Sequence, residues 1–286
     1  MIQNKQLKVL TIKPSGRSSD FISPSFATGC LLECLYCYMK RNTPNGVTFY
    51  NNTDEILLAI DKHSKKSKII KPNQTDEKYI TYDISCNEDF GLHLPHHNWE
   101  QIFTFFKQHP RAKATFATKV IPKALLKFNP NGKVRIRFSL MPQRLSDILE
   151  PKSTKISDRI KAINTFIEAG YDVHVNYSPV ILYAGWVIDY YKLFKEINIV
   201  VKDEYKNRVK SEVIFLTHNK EKHYKNMLIN PKGEELLWQP HLQEEKVSQY
   251  GGNNIRYKAG LKAEYIEQFK TLHSDVIDWN TIRYIF

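Results

Sequence analysis

Between Phe21 and Leu216 short apolar runs alternate with stretches in which apolar residues recur at helical spacing. A chain built this way buries its strands between helices, which predicts a parallel sheet in an α/β fold. The plainest strand is Val134–Leu140, where Val134, Ile136, Phe138 and Leu140 alternate with Arg135, Arg137 and Ser139. A two-residue period sends the two sets to opposite faces. Other strands are expected at Phe21–Phe26, Tyr79–Ile84, Ala114–Thr118, Val173–Ser178 and Ser211–Leu216, with intervening helices near Asp54–His63, from Trp99, from Ile156 to Ile167 and over Trp186–Glu196. Gly170 is placed to end the Ile156 helix. Six strand–helix units suit an open, partial barrel and not a closed eightfold one.

Residues 1–20 read as a lead-in, 21–219 as the barrel and 220–286 as an extension. Within the extension, residues 220–248 are polar and expected to be irregular. Tyr250–Tyr257 reads as a hairpin turned by glycine and asparagine, and a helix near Leu261–His273 and a strand Ile282–Ile285 close the chain.

The chain has 286 residues and carries 42 Lys plus Arg against 30 Asp plus Glu, a formal charge of +12. Such a balance suits a polyanionic partner, since basic side chains displace counterions from phosphates, although it also serves plain solubility. No apolar stretch is long enough for a membrane span, and no secretory h-region follows Met1. The expectation is a cytoplasmic protein without a membrane partner, in a compartment where clustered cysteines bind metal more often than they form disulfides.

Cys30, Cys34 and Cys37 form a C-x3-C-x2-C triplet directly after the first expected strand, and the only other cysteine is Cys86. Three thiolates can hold an iron–sulfur cluster with one iron left open. The alternative is zinc, with Cys86 or a histidine as fourth ligand, in a nucleic-acid-binding module; zinc sites favour paired C-x2-C units, which this spacing does not provide. Parallel α/β sheets build their sites at the carboxyl ends of the strands. The cysteine loop, Cys86-Asn87-Glu88-Asp89, Lys119, Ser139 and Ser178 all fall at or near such ends. Arg137 shares the face of Ser139 by periodicity. His96 and His97, adjacent in sequence, cannot easily clasp one metal and read as helix-start residues. His174 reads as a barrel-lining hydrogen bonder.

The triplet after a first strand resembles the signature of the radical S-adenosylmethionine superfamily. A wider resemblance, to the spore photoproduct lyase family, runs across nearly the whole chain. It rests on Ser23-Pro24-Ser25 ahead of Gly29-Cys30, Tyr36-Cys37-Tyr38, Cys86 followed by Asp89, Thr118-Lys119, Asn131-Gly132-Lys133, Arg135–Ser139, Glu150-Pro151, Asp158-Arg159-Ile160, Ala169-Gly170-Tyr171, Pro179 and Gly185-Trp186.

The resemblance implies a partial (β/α)6 radical-SAM barrel with a C-terminal β-hairpin and helix extension. It implies a 4Fe–4S cluster on Cys30, Cys34 and Cys37, and S-adenosylmethionine contacted by Lys119, Ser139 and Ser178. Glu88 stands where the family commonly has serine, and there it would pair with the cofactor's amino group. The implied reaction is DNA repair: an adenosyl radical takes hydrogen from a thymine–thymine adduct, and Cys86 returns hydrogen to the product. Tyr36 and Tyr38 match tyrosines that relay hydrogen back toward the cofactor. Arg137, Tyr250 and Arg256 are candidate contacts to UV-damaged DNA, and a reductant of flavodoxin or ferredoxin type is expected. The chain begins shortly before the first strand, and Gln249 precedes Tyr250-Gly251 where the family has a basic residue. Both departures bear on lesion recognition and keep open a related radical reaction on another nucleic-acid or peptide substrate.

Overall fold

The computed structural model describes residues 2–39, 43, 46–69, 73–247 and 252–286. Its strands in chain order are β1 Ile2–Lys5, β2 Lys13–Pro14, β3 Phe21–Ile22, β4 Ala27–Thr28, β5 Val47–Tyr50, β6 Ile80–Asp83, β7 Ala112–Thr118, β8 Val134–Ser139, β9 Asp172–Val180, β10 Lys210–Phe215, β11 Thr217–His218, β12 Gln243–Val247, β13 Asn253–Tyr257 and β14 Thr281–Ile285.

An open sheet of eight strands, in the order β14-β10-β9-β8-β7-β6-β3-β2, organises the molecule. From β3 through β14 all neighbours run parallel, and only β2 lies antiparallel on its edge. The sheet is thus larger than the six expected units, because β2 and β14 extend its two ends. The expected first strand Phe21–Phe26 is shorter than anticipated. It pairs only through Phe21 and Ile22, because Pro24 cannot donate to a ladder.

Helices cover the outer face. Val134, Ile136 and Phe138 of β8 pack there with Ile102, Phe103 and Phe106 of the helix Trp99–Gln108 and with Ile160, Ile163 and Phe166 of the helix Ile156–Glu168. Gly170 ends the latter helix at φ +90°, and a Cβ there would meet Asn129 Oδ1 at 2.1 Å.

The inner face is ionic. Arg135 binds Asp172 at 2.7 Å and Asp76 at 3.1 Å, and Arg137 binds Asp83 at 2.7 Å and Glu212 at 3.2 Å. Arg283 of β14 also reaches Glu212. His174 meets Asp172 at 3.2 Å, and burial holds its imidazole down to about 3, so it stays neutral among these pairs.

Beyond β10 the chain departs from expectation. Residues 220–247 are not irregular: they include the helices Lys220–Ile229 and Pro231–Leu237 and the strand β12, and Ser248 lies outside the described residues. The hairpin is not contained within Tyr250–Tyr257. Its arms are β12 and β13, paired antiparallel from Gln243↔Tyr257 to Val247↔Asn253, with β11 on the other side of β13. Gln249 and Tyr250 lie outside the described residues. The helix Ala259–Ile277 packs on the helix Trp186–Val200, with the Phe269 and Phe194 rings 5.5 Å apart, and delivers β14 to the main sheet. Among the described residues no helix is long and apolar enough to cross a membrane.

Candidate active site

The cysteine loop leaves β4 and is pinned by its backbone. Gly29 N donates to Asn87 O, Leu35 N to Leu149 O and Cys37 N to Cys34 O, each at 3.0 Å. Gly29 has φ +115°, and a Cβ there would lie 2.5 Å from Gly46 O, so only glycine fits. Two carbonyls of the loop are taken by the helix Lys220–Ile229. Lys222 Nζ donates to Tyr36 O, and Asn226 Nδ2 donates to Leu35 O at 3.0 Å.

The three thiols converge on one cavity of about 120 Å³, which is also lined by Tyr36, Tyr38, Cys86, Glu88, Asp89, Lys119 and Ser139. Cys34 is buried, Cys30 and Cys37 partly so. Burial and the nearby Asp89 push the Cys30 thiol up to about 12, and burial and Glu150 likewise push Cys34 up. Thiolates in such surroundings need a cation among the sulfurs, so the donor set suits a metal centre.

Two buried polar atoms on this wall lack a partner: Ser139 Oγ, at the end of β8, and Glu88 Oε1. Glu88 owes its position to two histidines. His93 Nδ1 lies 3.0 Å and His97 Nε2 2.7 Å from Glu88 Oε2, all three side chains being buried. Burial alone would raise the carboxyl of Glu88, but the hydrogen bonds from His93 and His97 outweigh it and hold the group below its usual range. The other oxygen is left to accept from a ligand. His97, just ahead of the Asn98 cap of the helix Trp99–Gln108, is thus also a partner of Glu88. The i, i+4 spacing of His93 and His97, rather than the adjacency of His96 and His97, is the signal in the sequence.

Asp89 links neighbouring strand ends, accepting from Thr118 Oγ1 at 2.7 Å and from the backbone N of Lys119 at 2.8 Å. Lys119 extends its ammonium over the Tyr36 ring at 5.7 Å and toward Glu150 at 3.9 Å. Burial pulls that ammonium down, but Glu150 and Cys34 more than offset it, so the charge is kept.

Glu150 is the hub that the sequence reading does not single out. It accepts from Tyr36 Oη, and from Arg159 Nη2 at 2.8 Å. Arg159, fully buried, also donates to Ser139 O at 2.7 Å, so this pair ties Tyr36, Lys119 and Ser139 together. Glu150→Ala leaves Arg159 uncompensated in the interior and should cost about 3 kcal/mol or more, read as a lowered midpoint in denaturant. An unchanged midpoint would show that the pair does not carry the loop.

Cys86 follows β6 and is exposed on a second, larger cavity of about 750 Å³ lined by Lys13, Ser23, Tyr36, Tyr38, Asn87, Thr217, Lys222 and Asn254 among others. Tyr38 Oη donates to Cys86 O. Burial in this concave wall and the neighbouring Asp83 push the thiol up to about 11, so it keeps its hydrogen at neutral pH. Tyr36, Tyr38 and Cys86 line both cavities and form the partition between them.

Not every candidate gathers here. Ser178 is half-buried in β9 and lines neither cavity. Arg137 points into the barrel as periodicity predicts, yet it is consumed by Asp83 and Glu212 and also lines neither. Arg256 is half-buried on β13, and Tyr250 is outside the described residues.

A family model described as spore photoproduct lyase matches residues 3–286. The chain belongs to the spore photoproduct lyase family. Spore photoproduct lyase of Bacillus subtilis (strain 168) is 28% identical over 211 residues, covering 72% of this chain and 59% of that protein. Spore photoproduct lyase of Geobacillus sp. (strain Y412MC61) is 25% identical over 194 residues, covering 66% and 54%. The match thus spans less than two thirds of the length of these curated relatives. Among solved structures, a spore photoproduct lyase complexed with dinucleoside spore photoproduct superposes with a TM-score of 0.87 at 20% identity, covering 100% of this chain and 82% of that one. A double mutant with bound AdoMet and the same dinucleoside also matches at 0.87, with 19% identity. These likenesses establish the fold.

Proposed function

We propose that this protein is a radical S-adenosylmethionine lyase that repairs a thymine–thymine adduct in DNA. The single observation that carries the reading is the shared partition: Cys86, Tyr36 and Tyr38 face both the thiol-lined cavity and the larger cleft. Residues 21–219 are then a partial (β/α)6 barrel that carries the cofactors, residues 1–20 its lead-in and residues 220–286 the lesion side.

In this reading Cys30, Cys34 and Cys37 hold a 4Fe–4S cluster. Lys119 would pair with the methionine carboxylate, while Ser139 and Glu88, with their unpartnered oxygens, would accept from S-adenosylmethionine. Ser178 is assigned to this set on family resemblance alone. Together the two cofactors supply a 5′-deoxyadenosyl radical, which is the hard part of the chemistry. The protein holds a protonated thiol on the cleft side of the partition. After hydrogen abstraction and scission of the inter-thymine bond, Cys86 gives its hydrogen atom to the thymine radical and becomes a thiyl radical. Tyr38, hydrogen-bonded to the Cys86 carbonyl, and Tyr36, which line both cavities, would serve as the route that returns hydrogen to that thiyl. The electron that starts the cycle comes from a flavodoxin- or ferredoxin-type donor.

The test supplies reduced, reconstituted protein with S-adenosylmethionine and a duplex containing the thymine adduct. Intact thymines are the expected product. Cofactor cleavage without thymine recovery would point to the second reading, a family member with another substrate, which Gln249 before Tyr250 favours.

A further inference from the structure

Most buried cations in this protein are paired: Lys113, Arg135, Arg137 and Arg159 each meet a carboxylate. Four further cations, Arg17 and Lys246 exposed and Arg256 and Lys262 half-buried, form no ion pair among the described residues. Arg17 follows β2, Lys246 lies on β12, Arg256 on β13, and Lys262 in the first turns of the helix Ala259–Ile277. The Arg17 guanidinium sits 3.6 Å and the Lys262 ammonium 4.8 Å from the centroid of one ring, Phe286. Lys246 stands opposite Asn254 in the ladder, and Arg256 lies two residues further along the same face, opposite Thr217 and Glu244. Asn254 and Thr217 line the 750 Å³ cleft, so this face of the hairpin meets the cleft rim.

Among the described residues none of the four forms an ion pair, Glu244 included, and Arg256 Nε is buried without a hydrogen-bond partner. Burial, followed by Arg256, Arg17 and Lys246, lowers the Lys262 ammonium. The positive end of the Ala259–Ile277 helix, which has no side-chain cap, adds to the same field. Solubility needs scattered charge; two cations over one ring, with Lys246 and Arg256 close enough to act on Lys262, repel each other and are relieved by an anion.

We propose that Arg17, Lys246, Arg256 and Lys262 form a phosphodiester-binding site on the cleft rim, which seats the DNA backbone flanking the nucleotides presented to Cys86. This rests on the DNA reading above. Lys13 and Lys222, which line the cleft itself, continue the positive track inward. The site recognises phosphate and carries no base readout, so it binds undamaged and damaged duplex alike.

The experiment compares the full-length protein with an Arg17→Gln/Lys246→Gln/Lys262→Gln variant in binding to an undamaged duplex across a salt series, and in turnover of a dinucleoside adduct that lacks flanking phosphates. The expected result is at least roughly tenfold weaker duplex binding, with the slope of log affinity against log salt shallower by about one unit for each phosphate no longer neutralised. Dinucleoside turnover stays within roughly twofold. The matching Lys246→Arg/Lys262→Arg variant keeps both affinity and slope. Unchanged duplex affinity and slope in the glutamine variant would overturn the proposal, as would equal losses on the duplex and the dinucleoside. Should the triple variant not fold, the slope of exposed Lys246→Gln alone decides. If wild-type protein repairs neither substrate yet the salt slope still depends on these residues, the phosphate site stands and the lesion reading falls.

Discussion

A Cys34→Ala protein, reconstituted anaerobically with iron and sulfide, will hold far less iron than the about four atoms expected for the intact triplet, and its cleavage of S-adenosylmethionine will drop below detection. Cys34 is the sensitive choice because it is the buried member of the three, with 5% exposure. The loop around it is held independently of its sulfur: Leu35 N on Leu149 O, Asn226 on Leu35 O and Lys222 on Tyr36 O. Alanine therefore removes a ligand without releasing the backbone, and circular dichroism and the denaturant midpoint should be unaltered. One tightly held zinc in the wild-type protein, with no iron taken up, would sink the cluster assignment and restore the zinc alternative.

The second large effect belongs to Cys86. Cys86→Ala should leave cofactor cleavage within a few-fold of wild type, because Cys86 stands in the partition and is not one of the three thiols expected to hold the cluster. Recovery of intact thymine should fall by roughly two orders of magnitude or more, the loss typical of a group that acts directly in the reaction. The product radical, left without a hydrogen donor, will be diverted into other adducts detectable by mass spectrometry. Cys86→Ser tests the reason for using sulfur. The hydroxyl is similar in size, but its O–H bond is far stronger than S–H, so serine should fare no better than alanine. A normal thymine yield from either variant would remove Cys86 from the mechanism.

What the sequence reveals depends on which kind of order a residue obeys. β8 is legible because alternation places Val134, Ile136 and Phe138 against helices and Arg135, Arg137 and Ser139 inside. The same alternation says which way Arg137 points but not that Asp83 and Glu212 are waiting there, since those partners come from strands 54 and 75 residues away. The cysteine triplet is legible because its three members are local in the chain. Glu150 is not, because its importance lies in Tyr36 and Arg159, which meet it only in the fold.

The helix Lys220–Ile229 is hidden for a different reason. Its buried residues are Lys222 and Asn226, while Tyr224, Met227, Leu228 and Ile229 are exposed. A reading that seeks an apolar inward stripe finds none, and the segment looks irregular.

That inverted helix has a consequence for how the protein can come apart. Its two polar anchors join the segment leading to the hairpin to the loop bearing the sulfurs, so neither can melt alone without leaving Leu35 O or Tyr36 O unsatisfied. Proteolysis or heat that frees residues 220–237 will loosen the thiol loop in the same event. The two segments behave as a single cooperative latch: damage on the hairpin side takes the thiol loop out of service with it.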